Sequence, residues 1–171
     1  MSRKKRVYKR SEPFDVINNS ALIGKFINCL MLDGKKSVVA SAVHKAVNKL
    51  IQSPLLAKVE SLPKNASADE IFKHVVSITT PSVETKSRRI GGSNYQIPHV
   101  ISGTTRALSL SIRWIVAAIR SKKDMALEDK VFAVFEDSLN FRGEALKKKT
   151  QIEAVAEANR AYAHLANNNR R

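Results

Sequence analysis

The side chains of this chain that could do chemistry are mostly cations, and they occur in groups. One group stands directly before Gly91-Gly92: Lys86, Arg88 and Arg89. A second group recurs at intervals of seven residues: Arg106, Arg113 and Arg120. Because seven residues fall about 20° short of two helical turns, these three guanidinium groups lie along one face of a predicted helix. A cationic finger followed by a cationic helix suits the phosphates of a long polyanion better than a small molecule.

Three further basic groups stand at predicted chain or helix ends. Six cations crowd the N-terminal segment: Arg3, Lys4, Lys5, Arg6, Lys9 and Arg10. Lys35 and Lys36 follow Gly34 at the start of a predicted helix, where positive charge opposes the helix dipole and indicates a bound phosphate. A lysine run opens the last predicted helix: Lys147, Lys148 and Lys149. A basic arm and lysines at a tight corner are typical of contacts with a nucleic-acid backbone.

The overall charge supports the same class of partner. The chain has 171 residues, with 30 Lys and Arg against 15 Asp and Glu, a net charge of +15 and a pI near 10.2. Such a field attracts nucleic acid or an anionic membrane surface; the alternative is a charge that serves solubility alone. The sequence has no apolar run that approaches the ~18 residues of a membrane span. We therefore expect nucleic-acid binding and no membrane partner.

Groups for catalysis or metal binding are not brought together by the sequence. The histidines are dispersed and fit no metal-binding spacing: His44, His74, His99 and His164. Neither the phosphate-binding motif G-x-x-x-x-G-K-[ST] nor the nucleophile motif G-x-S-x-G occurs. Cys29 is the single cysteine, and its place on an apolar helix face predicts a buried, inert thiol. We expect no enzyme activity, no cofactor and no metal.

The first half of the chain predicts three helices. Ser20 is the predicted N-cap of a helix that runs to about Leu32, and the corner at Gly34 then leads into a second helix. A loop over 52–66 follows, and the capping-box pattern that begins at Ser67 opens a third helix. Apolar residues recur at i, i+3 and i+4 in each, so each helix buries one face.

The second half predicts a ribbon and three more helices. Gly91-Gly92 is a hairpin signal between two β-prone runs, which places a two-stranded ribbon at about 83–101. The arginine helix follows, and then a fifth helix that Asp124 caps and Gly143 ends. The last helix begins at the lysine run and carries Asn159 on its inward face, where we expect the amide to cap the backbone of another segment; the alternative is that this face is partly a contact surface. The predicted fold class is mainly α: a six-helix body with one protruding two-stranded β-ribbon.

Composition indicates one folded domain between two polar ends. Hydrophobic residues make up 43% of the chain, and a chain of this length can bury a substantial core. We expect a basic N-terminal arm over 1–19, a single helical domain over 20–166 and a polar tail over 167–171.

Two aromatic residues are candidates for stacking on nucleobases. Tyr95 lies in the ribbon beside Asn94 and Gln96, and the sequence leaves open whether its ring contacts a base or packs across the strands. Trp114 lies beside the apolar arc of the arginine helix, so packing in the core is its predicted role.

Four segments carry a resemblance to a known family. They read FINCLMLDGKKS over 26–37, VETKSRRIGGSNYQIP over 83–98, RALSLSIRWIVAAIR over 106–120 and LKKKTQIEAVAEANRAYAH over 146–164. They closely resemble the universal family of small-subunit ribosomal protein number seven. The resemblance implies a helical body with a protruding β-ribbon, which agrees with the pattern found from periodicity.

The same resemblance implies a function and a set of contacts. Family members are primary binders of the 3′ major domain of small-subunit rRNA; they nucleate assembly of the subunit head and lie near exit-site tRNA, the mRNA exit path and neighbouring head and platform proteins. It implies rRNA contacts at Arg3, Lys4, Lys5, Arg6, Lys9, Arg10, Lys35, Lys36, Lys86 and Arg88, and the charge pattern of the helices adds Arg106, Arg113, Lys147 and Lys148. It implies proximity to tRNA or mRNA at Arg89, Gly91, Gly92, Tyr162 and His164, and we expect the ribbon residues Tyr95 and Gln96 to share it. The compartment implied is the cytoplasm of a bacterium or the matrix or stroma of an organelle.

An alternative function shares the charge and the ribbon. An architectural DNA-binding protein also uses basic β-arms, which enter the minor groove and bend the duplex. Such arms usually insert an apolar wedge between base steps, whereas Gly91, Gly92 and Ser93 form the predicted tip here.

Overall fold

The described residues form six α-helices and one two-stranded ribbon, as predicted, together with a 3-10 helix. The computed structural model describes residues 14–15, 17–54 and 66–167; most of the predicted arm, the loop residues 55–65 and the tail residues 168–171 lie outside this range. The helices are α1 (Ala21–Leu30), α2 (Lys36–Gln52), α3 (Ala68–Thr79), α4 (Thr104–Ser121), α5 (Leu127–Leu139) and α6 (Glu144–Ala158). Strands β1 (Val83–Ile90) and β2 (Ser93–Val100) form the ribbon between α3 and α4, and a 3-10 helix, Arg160–Asn167, follows α6.

Two predicted N-caps are confirmed. The Ser20 hydroxyl accepts a hydrogen bond from the backbone N–H of Ile23 at 3.3 Å. At the start of α3, the Ser67 hydroxyl accepts from the Glu70 N–H at 3.3 Å, while the Glu70 carboxylate accepts from the Ser67 N–H at 2.8 Å. These bonds satisfy N–H groups that have no partner within the helix, so they fix where α1 and α3 begin.

Three phenylalanines from three helices form the centre of the core. Phe26 of α1, Phe72 of α3 and Phe135 of α5 are fully buried, and their ring centroids lie 5.0, 5.9 and 5.5 Å apart in pairs. Tilted aromatic pairs at these distances are favourable beyond the burial of their area. The apolar face of α4, with Ile112 and Ile115 at 0% exposure, packs into the same core. One rigid body therefore supports both the ribbon and the cationic face of α4.

The ribbon is an antiparallel hairpin with a regular register. Its pairs run from Val83 opposite Val100 at the root to Ile90 opposite Ser93 at the tip. Gly91 and Gly92 have φ of 55° and 90°, the positive values that a tight hairpin turn of two residues requires. Within the described part of the chain the sheet has two strands only.

The prediction that Asp124 caps the fifth helix and Gly143 ends it is wrong. Asp124 has φ 59°, whereas a capping residue needs an extended backbone, and α5 begins after Ala126. Helix α5 ends at Leu139, and Gly143 is instead the residue before α6. Helix α6 thus begins at the acidic Glu144, which suits the positive end of the helix dipole, rather than at the lysine run.

The last predicted helix is also shorter than expected. Helix α6 ends at Ala158, and the Asn159 amide Nδ2 donates to the carbonyl of Val155 at 2.9 Å. Asn159 therefore bonds the backbone of its own helix and not another segment, which competes with helix continuation. The chain after it forms the 3-10 helix.

Cys29 is exposed, so the prediction of a buried thiol is wrong. The inward residues of α1 include Phe26, Ile27 and Leu30. Cys29 precedes Leu30 by one residue, which is about 100° around the helix and turns the thiol off the buried face.

Candidate nucleic-acid interface

The corner between α1 and α2 presents two lysines at a helix start. Asp33 and Gly34 have φ of 52° and 72°, and this turn places the exposed Lys35 at the N-cap of α2 and the exposed Lys36 at its first residue. No side chain caps α2, and its first turn holds no acidic residue. Two ammonium groups and the positive end of a helix dipole therefore share one exposed corner, an arrangement that attracts phosphate.

The cations of the ribbon differ in how far they are already paired. The Lys86 ammonium lies 3.2 Å from the Glu84 carboxylate. The Arg88 guanidinium donates to the backbone carbonyl of Leu165 at 2.8 Å and so ties the ribbon to the 3-10 helix. Arg89, next to the tip, is exposed and has no polar partner within the part of the chain that the structure describes. The positive charge available to a ligand is thus greatest at the tip.

Arg106 is held by the root of the ribbon. Its Nε and Nη2 atoms donate to Glu84 Oε2 at 3.0 and 2.9 Å. Burial favours the neutral carboxyl of Glu84, but the hydrogen bonds from Arg106 and Lys86 outweigh it and hold the pKa of Glu84 below its ordinary value. The carboxylate therefore stays charged and joins α4 to β1. Sequence reasoning placed Arg106 among rRNA ligands and missed Glu84, although Glu84 is the one acid in β1.

The other two arginines of α4 differ from each other. The Arg120 guanidinium donates to the carbonyl oxygens of Cys29 and Leu30 at 3.2 and 3.4 Å, which stabilises the C-terminal end of α1. Arg113 is exposed and, among the described residues, has no hydrogen bond or ion pair. Of the three arginines on this face, Arg113 alone keeps its guanidinium available to a ligand, as judged from the described ranges.

A groove runs across α4 toward α6. Two adjoining concavities share Ala117 and Ser121: one of about 420 Å³ reaches α6, and one of about 630 Å³ reaches α1. The first is lined by Trp114, Ala117, Ala118, Ser121, Glu144, Lys147, Lys148 and Gln151. The second is lined by Cys29, Arg113, Val116, Ala117, Arg120 and Ser121. The groove is apolar at its floor and mostly cationic at its rims.

The three lysines near the start of α6 have two different environments. Lys147 and Lys148 are exposed at the groove, whereas the Lys149 ammonium donates to the carbonyl of Ile78 at 2.9 Å. Lys149 therefore satisfies the last turn of α3, and the two preceding lysines remain for a ligand.

The residues predicted near tRNA or mRNA lie on the ribbon and on the 3-10 helix. The rings of Tyr95 and Tyr162 pack together with centroids 4.8 Å apart, so Tyr95 packs against the 3-10 helix rather than across the strands. His164 lies on that helix, where its Nδ1 is 2.8 Å from the Ala161 carbonyl oxygen. Gly91 and Gly92 are exposed at the tip, and the exposed Gln96 follows Tyr95 on β2, where strand alternation turns it to the opposite face of the ribbon.

The described residues show no arrangement for metal chemistry. They contain no group of three His, Cys, Asp or Glu side chains that could hold a metal ion. His44 serves the fold: its Nε2 lies 3.3 Å from Asp15 Oδ1, and its Nδ1 lies 2.9 Å from the Asn18 amide. Among the helices described, none has both the length and the apolar character to cross a membrane.

Comparison with known proteins gives one consistent match. The family model described as "Ribosomal protein S7p/S5e" matches residues 2–160. Small ribosomal subunit protein uS7 of Pelagibacter ubique is 39% identical over 164 residues, which cover 96% of this chain and 98% of that protein. Small ribosomal subunit protein uS7m of Reclinomonas americana is 39% identical over 171 residues, with the same coverage. The uS7 protein of Koribacter versatilis is 37% identical over 164 residues, again with 96% and 98% covered.

Proposed function

The chain belongs to the ribosomal protein S7p/S5e family, and from that premise we propose that it is a small-subunit protein that binds the 3′ major domain of the rRNA and nucleates assembly of the subunit head. This family is one of ribosomal proteins and not of enzymes, in agreement with the predicted lack of catalytic groups.

One observation supports rRNA binding more than any other. Among the exposed cations with no acidic partner in the described ranges are five at the starts or on the faces of the body helices: Lys35, Lys36, Arg113, Lys147 and Lys148. They stand on the ends or faces of helices that pack on one core, so their spacing is fixed before binding. Folded RNA presents phosphates at fixed positions, and pre-positioned cations bind them with little loss of conformational entropy.

The basic arm extends the proposed rRNA contacts. Its cations lie outside the described residues and carry over from the family resemblance: Arg3, Lys4, Lys5, Arg6, Lys9 and Arg10. We place Lys86, Arg88 and Arg106 at the margin of the rRNA surface, because part of the charge of each is already paired within the protein.

The ribbon and the 3-10 helix form the proposed face toward exit-site tRNA and mRNA. Arg89 and the Gly91-Gly92 turn project at the tip, where a backbone without side chains permits close approach to another backbone. Tyr95, Tyr162 and His164 lie nearer the body. We propose that head and platform proteins of the small subunit adjoin this face, in the cytoplasm of a bacterium or within an organelle.

Co-sedimentation is the experiment that tests this function. The tagged chain is expressed in its source cells, and subunits are separated on a sucrose gradient. We expect the chain to sediment with small subunits and with the 3′ major domain after limited nuclease digestion. A chain that stays at the top of the gradient contradicts the proposal.

A competition experiment between RNA and DNA distinguishes rRNA binding from the alternative, architectural DNA binding. Purified chain is offered a 3′ major-domain fragment and duplex DNA at equal phosphate concentration. We expect the RNA to be preferred, because the two glycines of the turn have no side chain to insert between base steps. Equal affinity would favour an architectural DNA-binding protein.

A further inference from the structure

Trp114 packs against the core and also forms part of the floor of the groove. It is partly buried and packs against the core cluster, but it also lines the concavity of about 420 Å³ between α4 and α6. Beside it, Ala117 and Ala118 contribute only methyl groups to the lining of the concavity. Grooves of roughly 300–1,000 Å³ are the size that binds small organic groups.

The rim of this groove is arranged for an anion. Lys147 and Lys148 lie on the α6 side, and the adjoining concavity brings Arg113 to the other side of Ala117. The one acidic lining residue, Glu144, accepts a hydrogen bond from the Ser121 hydroxyl at the end of the groove. The floor consists of aromatic and methyl groups and the rims are cationic. This arrangement matches a nucleotide whose planar base is flanked by two backbone phosphates.

We propose that the α4–α6 groove binds one unstacked nucleotide of a single-stranded RNA segment, with its base against the Trp114 indole. Lys147 and Lys148 neutralise the flanking phosphates, and the Gln151 amide reaches the edge of the base. Base–aromatic contact of this kind tolerates any base, because every base has a π-face. The inference rests on the proposed rRNA-binding function and specifies that this part of the surface binds single-stranded RNA.

The intrinsic fluorescence of Trp114 can be used to detect binding in this groove. Trp114 is its single tryptophan, so fluorescence excited at the red edge of the indole band comes from this site alone. The full chain is titrated with single-stranded oligouridylate, with a blunt-ended RNA duplex of equal phosphate count, and with oligoglutamate of equal charge. We expect saturable quenching by oligouridylate and little change with the duplex, whose bases are paired and stacked, or with oligoglutamate, which has no base.

A substitution that fills the groove can be compared with the same substitution outside it. Ala117 is exposed in the middle of α4, and Ala117→Leu puts a branched side chain over the indole at little cost in helix propensity. Ala154→Leu makes the same change at an exposed site of α6 that does not line the groove. Since base–aromatic stacking is worth roughly 1–3 kcal/mol, we expect Ala117→Leu to weaken oligouridylate binding about tenfold and to abolish the quenching. Ala154→Leu should leave both unchanged.

The outcomes distinguish nucleotide binding in the α4–α6 groove from rRNA binding by the chain as a whole. If oligouridylate binds, as measured by filter retention, without quenching Trp114, the groove proposal is wrong and rRNA binding stands. Equal quenching by the duplex would mean that the indole responds to any bound RNA, and equal quenching by oligoglutamate would mean that the groove binds an acidic peptide; either result overturns the proposal. Failure to bind the 3′ major-domain fragment would instead contradict the proposed function.

Discussion

The ring of Tyr95 on the ribbon packs against the ring of Tyr162 on the 3-10 helix, with centroids 4.8 Å apart and planes tilted by 45°. The Arg88 guanidinium, on the opposite strand and in register with Tyr95, donates to the Leu165 carbonyl in the same 3-10 helix. The ribbon and the C-terminal helix are therefore joined by an aromatic contact and a charged hydrogen bond. A ligand that moves one of them also acts on the other.

A double-mutant cycle on this aromatic pair measures the connection. We expect Tyr95→Leu and Tyr162→Leu to show a coupling free energy of about 0.5–1.5 kcal/mol in chemical unfolding, as aromatic pairs do. In hydrogen exchange, either variant should lower protection of β2 at Tyr95 and leave α1 unchanged. Strictly additive effects of the two substitutions would show that the rings are not coupled.

Substitutions at the α1–α2 corner should change rRNA affinity and protein stability in opposite directions. Lys35→Glu with Lys36→Glu replaces two cations by two anions at the positive end of α2, so we expect the melting temperature to rise slightly while rRNA affinity falls. The slope of log K against log salt should become shallower by about 2, because about two phosphate contacts are lost.

A single charge reversal elsewhere is the control for the corner. Lys123→Glu reverses one exposed charge between α4 and α5, outside the predicted contacts, and is compared with Lys36→Glu alone. We expect the larger loss of affinity from Lys36→Glu. Equal losses from the two variants would mean that only the net charge matters and that the corner has no specific role.

The Glu84–Arg106 pair should make stability depend on pH in the acid range. The pKa of Glu84 is lower in the folded chain than in the unfolded chain, so the pair stabilises the fold above the unfolded pKa, and that stabilisation is lost as the pH falls through the lowered folded pKa. We expect Glu84→Gln to lower the free energy of unfolding at neutral pH by at most about 1 kcal/mol. The difference between variant and parent should shrink toward zero in acid. A difference that stays constant through the acid range would exclude the ion pair as its cause.

Shortening the ribbon should affect function and not folding. Deletion of Arg89, Ile90, Ser93 and Asn94 removes the last two register pairs and keeps the Gly91-Gly92 turn. Because these residues are outside the core, we expect the free energy of unfolding to change by less than about 0.5 kcal/mol and rRNA binding to persist. Subunits reconstituted with the variant should hold exit-site tRNA less tightly. A large loss of stability would show that the tip belongs to the folding unit.

Local patterns in the sequence predicted the elements well. Ser20 and Ser67 fix helix starts through hydrogen bonds to residues three positions away, and Gly91-Gly92 fixes the hairpin turn. These signals act over a few residues, so they can be found without knowing the fold. The fifth helix was misplaced because Asp124 adopts a left-handed backbone that its residue type does not reveal.

The pairing of the cations could not be predicted in the same way. Arg120 bonds the carbonyl of Cys29, and Arg88 bonds that of Leu165, so each partner is far away in the sequence. Periodicity placed Arg106, Arg113 and Arg120 on one face, yet only tertiary packing decides that Arg113 is the one left free among the described residues. The groove at Trp114 likewise depends on how α6 lies against α4.

The most direct test of the account is the salt dependence of binding to a 3′ major-domain rRNA fragment. The dissociation constant of the full chain is measured by filter retention over a range of monovalent salt. With about six phosphates neutralised, we predict that log K falls against log salt with a slope of roughly −4 to −5. A slope near zero, or no binding at low salt, would contradict the claim that cations on a rigid helical body bind folded RNA.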